Sequence, residues 1–168
     1  MAQPFTDKSN RKERIVAAVA AHLLEHGMHN SSLRALADSV GISDRMIMYY
    51  FETKEDLIAA SLLLIASGLI DAMEAQLPAT QMSAGQITDA LRAMSDSPGA
   101  KSGQRLWFEI IGLAMRGDGP YQDTARRILD GWEDWISRRL GSRRAHLAAS
   151  ILAQIEGEIM IRLIRGTD

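Results

Sequence analysis

The stretch SSLRALADSVGISDRMIMYYFETK, residues 31–54, contains two short helical patterns separated by a glycine. Ser31 or Ser32 can cap the first pattern by accepting a hydrogen bond from a free backbone amide. Gly41 is expected to end it, because glycine adopts the left-handed conformation without a steric penalty. The apolar residues between these points recur at helical spacing and predict a short helix with one buried face: Leu33, Leu36, Ala37 and Val40.

A second helix is predicted to begin almost at once. Only Gly41 and Ile42 precede Ser43, a second N-cap candidate, and Ile47 and Phe51 then fall on one side. Two short helices joined by so tight a turn are typical of a helix-turn-helix, whose second helix can enter a DNA major groove. An ordinary helical hairpin with exposed aromatic side chains has the same spacing, so that alternative stays open here.

The outward side of the second helix carries side chains suited to nucleic acid. Arg45 can form a bidentate contact with guanine, and Met46 or Met48 can touch a thymine methyl group. Tyr49 and Tyr50 hold hydroxyl groups that can reach phosphate oxygens or a base edge. The residues predicted to contact DNA are Ser31, Ser32, Arg34, Ser43, Asp44, Arg45, Met46, Met48, Tyr49, Tyr50 and Lys54.

An ordered set of short segments extends this pattern in both directions. They are Arg14-Ile15-Val16-Ala17-Ala18, Glu25-His26-Gly27, Ser32-Leu33-Arg34, Leu36-Ala37, Gly41-Ile42-Ser43, Tyr49-Tyr50-Phe51 and Thr53-Lys54-Glu55-Asp56-Leu57. Together, residues 14–57 resemble the DNA-binding domain of the TetR family of bacterial transcriptional regulators. Two positions depart from the family's pattern: Arg45 stands where a small residue is usual, and Met48 stands where tyrosine is usual. These departures predict an operator preference particular to this chain.

The resemblance implies an all-α chain in two parts. Residues 1–52 would form an N-terminal three-helix helix-turn-helix DNA-binding domain, and residues 53–168 a C-terminal helical effector-binding and dimerisation domain. The implied function is a ligand-responsive transcriptional regulator, expected to be a repressor, which binds a near-palindromic operator as a homodimer and is released by a small molecule. Two alternatives stay open: an all-α metal-binding protein or enzyme, and a helical ligand-binding dimer that does not bind DNA.

Composition agrees with a helical protein. Hydrophobic residues make up 46% of the chain and aromatic residues only 5%, and the abundant Ala, Leu, Ile and Met favour helices over strands. The sequence has no cysteine, which excludes disulfides and thiol catalysis and is compatible with a cytoplasmic location. No signal-peptide pattern is visible, and the longest apolar stretch, Leu57–Ile70, is shorter than the ~20 residues that span a bilayer, so no membrane association is expected.

Charge alone does not indicate nucleic-acid binding. Residues 1–57 hold seven basic and eight acidic residues, so the net charge of this segment is −1. Its distribution is uneven, because four basic residues cluster before and inside the first helix: Lys8, Arg11, Lys12 and Arg14. This cluster could contact phosphates, although a solvated terminus would carry the same charges.

The first helix, predicted over residues 9–26, also contains a possible metal motif. His22-Leu23-Leu24-Glu25-His26 matches the His-x-x-Glu-His pattern of some zinc proteases. Two histidines four residues apart lie on one helix face and could bind zinc. No third ligand is indicated, however, and Leu23 is needed to pack the helix-turn-helix. We therefore expect neither a metal nor a cofactor, and the sequence shows no catalytic constellation.

Helical patterns continue to the end of the chain. Thr53 is expected to cap a helix that reaches Gln76 and is roughly 34 Å long, enough to join two domains. Further helices are predicted over residues 83–96, 101–116, 120–140 and 143–165.

The last predicted helix is apolar on two sides, and a partner subunit is the natural cover for one of them, although a monomer with an overlong apolar helix would show the same pattern. Two helices from each subunit would then form the interface of a two-fold dimer, as the family resemblance also implies. The predicted interface residues are Trp132, Trp135, Ile136, Ile155, Gly157, Ile161 and Ile164.

Residues between 60 and 135 could line an effector cavity. Methionine and aromatic side chains in this region suit a pliable, largely apolar site, although plain core packing explains them as well. Three glutamates near apolar faces, Glu109, Glu156 and Glu158, could instead hold a cationic or hydrogen-bond-donating effector. That the domain senses a small molecule is implied by the resemblance. The predicted effector-binding residues are Met73, Met94, Trp107, Phe108, Ile111 and Met115.

Overall fold

Helices account for all the regular structure in the computed structural model, which describes residues 4–117 and 119–166. Short 3₁₀ turns at Met28–Asn30 and Ala145–Leu147 precede the second and the last α-helix. The all-α prediction is therefore confirmed for the described ranges. The α-helices are α1 (Pro4–His26), α2 (Leu33–Val40), α3 (Asp44–Tyr50), α4 (Lys54–Gln76), α5 (Ala84–Ser95), α6 (Ala100–Met115), α7 (Tyr121–Leu140) and α8 (Ala148–Arg165).

The turn between α2 and α3 is set by side chains at the predicted positions. The Ser32 hydroxyl accepts a hydrogen bond from the Ala35 amide at 3.2 Å, and the Ser43 hydroxyl accepts one from the Met46 amide at 3.3 Å. Gly41 ends α2 with φ 74°, a left-handed conformation that residues with a Cβ atom avoid. The start of α2, the end of α2 and the start of α3 thus lie at the residues predicted to cap them.

α1 packs across α2 and forms the core of the N-terminal region. The side chains of Leu23, Leu36 and Ile47, one from each of the three helices, are fully buried. α1 begins at Pro4, five residues earlier than predicted, since a proline at the first helical position lacks only an amide that would have no partner there.

α4 connects the N-terminal helices to the rest of the chain. Thr53 and Asp56 form a reciprocal capping box at its start, with both backbone-to-side-chain distances at 3.0 Å. Two turns into the helix, the buried Ser61 hydroxyl lies 3.2 Å from the Val16 carbonyl oxygen of α1. α4 packs against both α1 and α7, so the predicted domain boundary between residues 52 and 53 stays a prediction.

Within the described residues, α4 is also a helix long and apolar enough to cross a membrane by length and composition. This corrects the expectation that the apolar stretch is too short, because the helix has 23 residues and continues on both sides of Leu57–Ile70. Packing against α1 and α7 accounts for its buried apolar positions.

α7 and α8 complete the helical body, and the loop between them differs from the prediction. Residues 142–144 form a turn, with the Arg144 amide bonded to the Gly141 carbonyl, and the 3₁₀ turn Ala145–Leu147 follows, so α8 begins at Ala148 instead of residue 143. Gly141 has φ 73°, and a Cβ atom there would lie 2.5 Å from the Gln81 side chain. Nearby, the Met82 amide donates to the Arg139 carbonyl at 2.8 Å, which fixes the α4–α5 loop against the end of α7.

Candidate DNA-binding surface and effector domain

The outward side of α3 forms an exposed surface with mixed chemistry. Asp44 and Arg45 are exposed in the first turn, and Tyr49 is 61% exposed at the end. A shallow depression of about 370 Å³ runs along the helix and is lined by Ser43, Arg45, Met46, Met48 and Tyr49. These five residues belong to the predicted DNA-contacting set, and the fold brings them together because they share one side of a two-turn helix.

The basic N-terminal cluster approaches α3. The Lys8 ammonium lies 4.5 Å from the centre of the Tyr49 ring, and the Lys12 ammonium lies 4.9 Å from that of Phe51. Tyr50 is half-buried and packs edge to face against Tyr49, with ring centres 5.1 Å apart. Positive charge from α1 therefore lies beside the exposed end of α3, an arrangement suited to phosphate groups.

The remaining predicted DNA contacts fall in different settings. Ser31 is only 7% exposed, and its hydroxyl donates to the Met28 carbonyl at 2.6 Å, so the structure leaves little of it free for the predicted DNA contact. Ser32 and Arg34 are exposed at the start of α2. Lys54 begins α4, and its ammonium lies 3.5 Å from the Glu55 carboxylate.

The histidine pair of α1 has local partners. The His22 and His26 rings are 4.6 Å apart, and His22 Nε2 lies 3.1 Å from the Asn30 carbonyl oxygen. Glu25 is a neighbour of His26 at 3.8 Å. Across residues 4–117 and 119–166, no three His, Asp or Glu side chains are grouped closely enough to hold a metal ion.

The predicted effector residues do not share one environment. Met73 belongs to the buried core of α4, whereas Met94, Trp107, Phe108 and Ile111 are partly buried on α5 and α6. Met115 is 83% exposed at the end of α6, and its effector role stays a prediction.

Glu109 joins α6 to the end of α1. Its Oε2 atom accepts a hydrogen bond from the Met28 amide at 2.7 Å. The approach depends on Gly27, which has φ 69° and at which a Cβ atom would lie 3.1 Å from Glu109 Oε1. The carboxylate therefore binds backbone of the N-terminal region, and sequence alone could not show this partner, 81 residues away.

Two glutamates of α8 differ sharply although only one residue separates them. Arg92 holds Glu158 in a bidentate pair at 2.7 and 2.8 Å, which lowers the pKa of Glu158 to about 2. Glu156 instead accepts one hydrogen bond, from Trp107 Nε1 at 2.7 Å. Burial raises the pKa of Glu156, and the bond from Trp107 opposes this effect only in part.

A polar cluster that the sequence did not reveal joins the end of α4 to α7. Arg139 is buried, and its guanidinium lies 2.7 Å from Glu74 Oε2, which also accepts from Trp135 Nε1 at 2.8 Å. The hydrogen bonds from Arg139 and then Trp135 lower the pKa of Glu74. A cleft of about 210 Å³ lies over the cluster and is lined by Glu74, Ala79, Thr80, Gln81, Trp135, Arg138 and Arg139.

The residues predicted at a dimer interface divide into two groups. Trp132, Trp135, Ile136 and Ile155 are buried within the chain, Trp135 being 1% exposed, so they offer a second copy no surface and their assignment is corrected. The two tryptophans pack edge to face instead, with ring centres 5.9 Å apart. Facing outward on α8 are Gly157, Ile161 and Ile164 of the predicted set, together with Ala149, Ala153 and Met160.

A capped helix-turn-helix with an exposed second helix, joined to a helical C-terminal region, defines the class of helix-turn-helix DNA-binding regulators. Residues 15–61 match the profile described as "Bacterial regulatory proteins, tetR family". The N-terminal part of the chain thus carries a DNA-binding domain of the TetR family.

The chain is also similar in sequence to helix-turn-helix transcriptional regulators over most of its length. The chain is 26% identical over 160 residues to the HTH-type transcriptional regulator BetI of Yersinia pestis (strain Pestoides F), covering 90% of this chain and 80% of that protein. It is 26% identical over 161 residues to BetI of Escherichia coli O139:H28, covering 92% and 83% of the two chains.

The fold is similar to those of two crystallised proteins. The multidrug binding protein EbrR, complexed with proflavin, has a TM-score of 0.73 at 22% identity over 94% of this chain and 91% of that one. A TetR transcription regulator from Haloarcula marismortui ATCC 43049 has a TM-score of 0.72 at 20% identity, over 94% and 88% of the two chains.

Proposed function

We propose that this regulator acts as a repressor, that it binds a near-palindromic operator as a homodimer, and that a small molecule releases it. The observation that carries the proposal is the exposed side of α3, where Arg45 and Tyr49 point away from the protein's own core. Two copies related by a two-fold axis would place their α3 helices in major grooves about one helical turn, or a multiple of it, apart. Because such a regulator acts on bacterial DNA, we place it in the cytoplasm.

The homodimer is supported by the outward face of α8. Ala149, Ala153 and Gly157 recur every four residues, and a Cβ atom at Gly157 would meet nothing within 4 Å. Ile161 and Ile164 continue the same face, and Ile164 is 78% exposed in one chain. Small residues followed by large apolar ones allow two helices to approach closely and then bury substantial area.

A small and largely apolar effector is supported by the partly buried side chains of α5 and α6, namely Met94, Phe108 and Ile111. The structural relative EbrR was crystallised with proflavin, which shows that a protein of this fold can hold a small aromatic molecule. Effector binding would act by shifting α4, since α4 leads directly from α3 and packs against α7. A coupling of about 1–3 kcal/mol would change DNA affinity roughly 5- to 150-fold.

The test is selection of bound duplexes from a random DNA pool, followed by titration of the enriched sequence. Arg45→Ala should lose about 1–3 kcal/mol of discrimination at one base pair, because it removes a direct contact to a base edge.

Lys54→Ala should weaken binding to all sequences alike and reduce the salt dependence of binding, because it removes a phosphate contact. Arg143→Ala, which removes an exposed charge from the α7–α8 loop, is the matched control and should bind like the parent.

Parental binding by both Arg45→Ala and Lys54→Ala would contradict these roles. If no duplex is enriched although the chain is folded and dimeric, the alternative of a ligand-binding dimer without DNA binding gains support.

A further inference from the structure

The C-terminal end of α1 meets α6 at two points. A Cβ atom at Gly103 would lie 3.7 Å from Leu24 Cδ2, which is an ordinary apolar contact. Further along α6, the Glu109 carboxylate accepts a hydrogen bond from the Met28 amide at 2.7 Å. An apolar contact permits sliding, whereas a hydrogen bond to an ionised acceptor is short and directional. Glu109 therefore supplies the contact that fixes the orientation of this end of α1.

The backbone at this junction is shaped to admit the carboxylate. Gly27 has φ 69°, and a Cβ atom there would lie 3.1 Å from Glu109 Oε1 and 3.2 Å from Oε2. A glycine with this positive φ both turns the chain after α1 and leaves room for the two oxygen atoms. Because the Glu109 side chain is exposed, its bond adds little to global stability and mainly restrains how α1 is oriented on α6.

The restraint acts on the whole DNA-binding head, by which we mean residues 4–51. Leu23, Leu36 and Ile47, one from each helix of the head, are fully buried in one hydrophobic cluster, so α1, α2 and α3 move together. At its other end, α1 brings the Lys8 ammonium to 4.5 Å from the centre of the Tyr49 ring. A tilt of α1 on α6 therefore changes the position of the proposed DNA-binding surface.

A contact near the middle of α1 gives this tilt a fulcrum. The buried Ser61 hydroxyl of α4 lies 3.2 Å from the Val16 carbonyl oxygen. At about 1.5 Å per residue, Met28 lies about 18 Å from Val16 on one side, and Lys8 about 12 Å on the other. A displacement of about 2 Å at Met28, enough to break its hydrogen bond to Glu109, would move the Lys8 end by about 1.3 Å. Two-fold symmetry doubles this to about 2.7 Å, close to the rise of ~3.4 Å between base pairs.

We propose that Glu109 is a positioning residue for operator recognition. Its bond to the Met28 amide limits tilting of the head and so narrows the range of half-site separations that the dimer accepts. Glu109 acts through α1 and makes no contact with DNA itself. This inference rests on the proposed function, because it names what determines the spacing of the operator.

The experiment compares the selected operator with duplexes in which one base pair is added or removed between the half-sites. Binding of the full chain to the three duplexes is measured by fluorescence anisotropy. To reach an altered spacing, the parent must break the bond in both subunits, each bond being worth about a factor of 2 to 12 in affinity. Glu109→Ala should therefore reduce the ratio of affinities between selected and altered spacings by at least about fivefold, while binding to the selected spacing changes by less than about threefold.

Two further variants separate positioning from a general loss of structure. Glu109→Gln retains an acceptor oxygen and should restore most of the discrimination between spacings. Glu133→Ala is the matched control, since it removes an exposed carboxylate from α7 and should keep the parental ratio. Equal weakening of all three duplexes by Glu109→Ala, or a ratio equal to that of the parent, would overturn the proposal. A parent that does not distinguish the three duplexes would overturn it as well.

A measurement without DNA separates this inference from the proposed function. The chain has no cysteine, so spin labels can be attached through Asp38→Cys in the head and Arg143→Cys in the α7–α8 loop, both exposed positions. With the labelled chain diluted in unlabelled chain, the distribution of distances between the two labels, measured by double electron–electron resonance, should be broader for Glu109→Ala than for the parent.

An unchanged distribution of label distances overturns the restraint whether or not DNA binds. If the distribution broadens but no duplex is enriched by the parent, the regulator function fails and the role of Glu109 in operator spacing falls with it. If the parent binds its operator but Glu109→Ala keeps the parental preference for spacing, only the positioning role fails.

Discussion

Three glutamates on α6 and α8 show how neighbours determine what one side-chain type does. Glu158 is a charged partner of Arg92, Glu109 accepts from the backbone of another region, and Glu156 has only an indole donor. The sequence could mark all three as lying near apolar faces, because helical spacing shows the face on which a residue lies. It could not assign their partners, since these lie between 49 and 81 residues away and depend on how the helices pack.

The pair of Glu158 with Arg92 predicts a specific acid response. The pKa of Glu158 is lowered from 4.5 to about 2 in the folded chain, mainly by Arg92, so folding favours the ionised form. Its stabilising contribution is therefore complete above about pH 4.5 and is lost as the pH falls towards 2. We expect Glu158→Gln to lower the free energy of unfolding at pH 6 and to reduce its decline between these two pH values.

Urea denaturation at a series of pH values measures this difference, and Glu133→Gln serves as the control on an exposed site. Parallel pH profiles for Glu158→Gln and the parent would show that the pair does not stabilise the fold.

At the level of helices, side chains of α4 and α6 bind the backbone of α1 and of the turn that follows it. Ser61 of α4 is hydrogen-bonded to the Val16 carbonyl, and Glu109 of α6 binds the Met28 amide. α4 and α6 therefore both connect the C-terminal region to the helix that supports α2 and α3. Sequence predicted the ends of α2, α3 and α4 well, because Ser32, Gly41, Ser43 and Thr53 act through local hydrogen bonds.

The contact between Glu109 and Met28 predicts a local effect of mutation. Glu109→Ala removes the acceptor of the Met28 amide and should cost about 1 kcal/mol, since the site is partly exposed to water. Hydrogen exchange should accelerate in residues 27–31 and remain unchanged in the α7–α8 loop. Glu109→Gln retains an acceptor oxygen and should protect the segment nearly as well as the parent does.

Mass-spectrometric hydrogen exchange on the three proteins distinguishes these outcomes. Identical exchange of residues 27–31 in Glu109→Ala and the parent would mean that this contact does not hold the end of α1.

For the molecule as a whole, sequence predicted an all-α architecture and two apolar sides on the last helix. It could not tell which side faces the protein's own core, because periodicity identifies faces without identifying their neighbours. Trp132 and Trp135 consequently turned out to be interior residues, whereas Ala149, Ala153 and Met160 lie outside. The face of α8 that we propose for a second copy therefore lacks the two tryptophans and includes smaller residues than predicted.

The oligomeric state of the protein tests whether two copies associate through this face of α8. We expect the parent to sediment at twice the 18.5 kDa of one chain at micromolar concentration. Ile161→Glu should give single chains, because it places a charge in an apolar contact, and should weaken operator binding by separating the two α3 helices. Gln122→Glu, a charge change at an exposed position on α7, is the control. A parent of single-chain mass, or a dimeric Ile161→Glu, would contradict the α8 interface.

The capping box of Thr53 and Asp56 gives α4 a fixed starting point only two residues after Phe51, which follows α3. A rotation of α4 about its C-terminal end would therefore displace α3 by nearly as much as it displaces the start of α4. For a rod roughly 34 Å long, an inclination of about 5° displaces the near end by about 3 Å. That distance exceeds the range over which a donor and a base edge stay in register, so in the proposed dimer a modest change of angle in each subunit would be sufficient to abolish sequence reading.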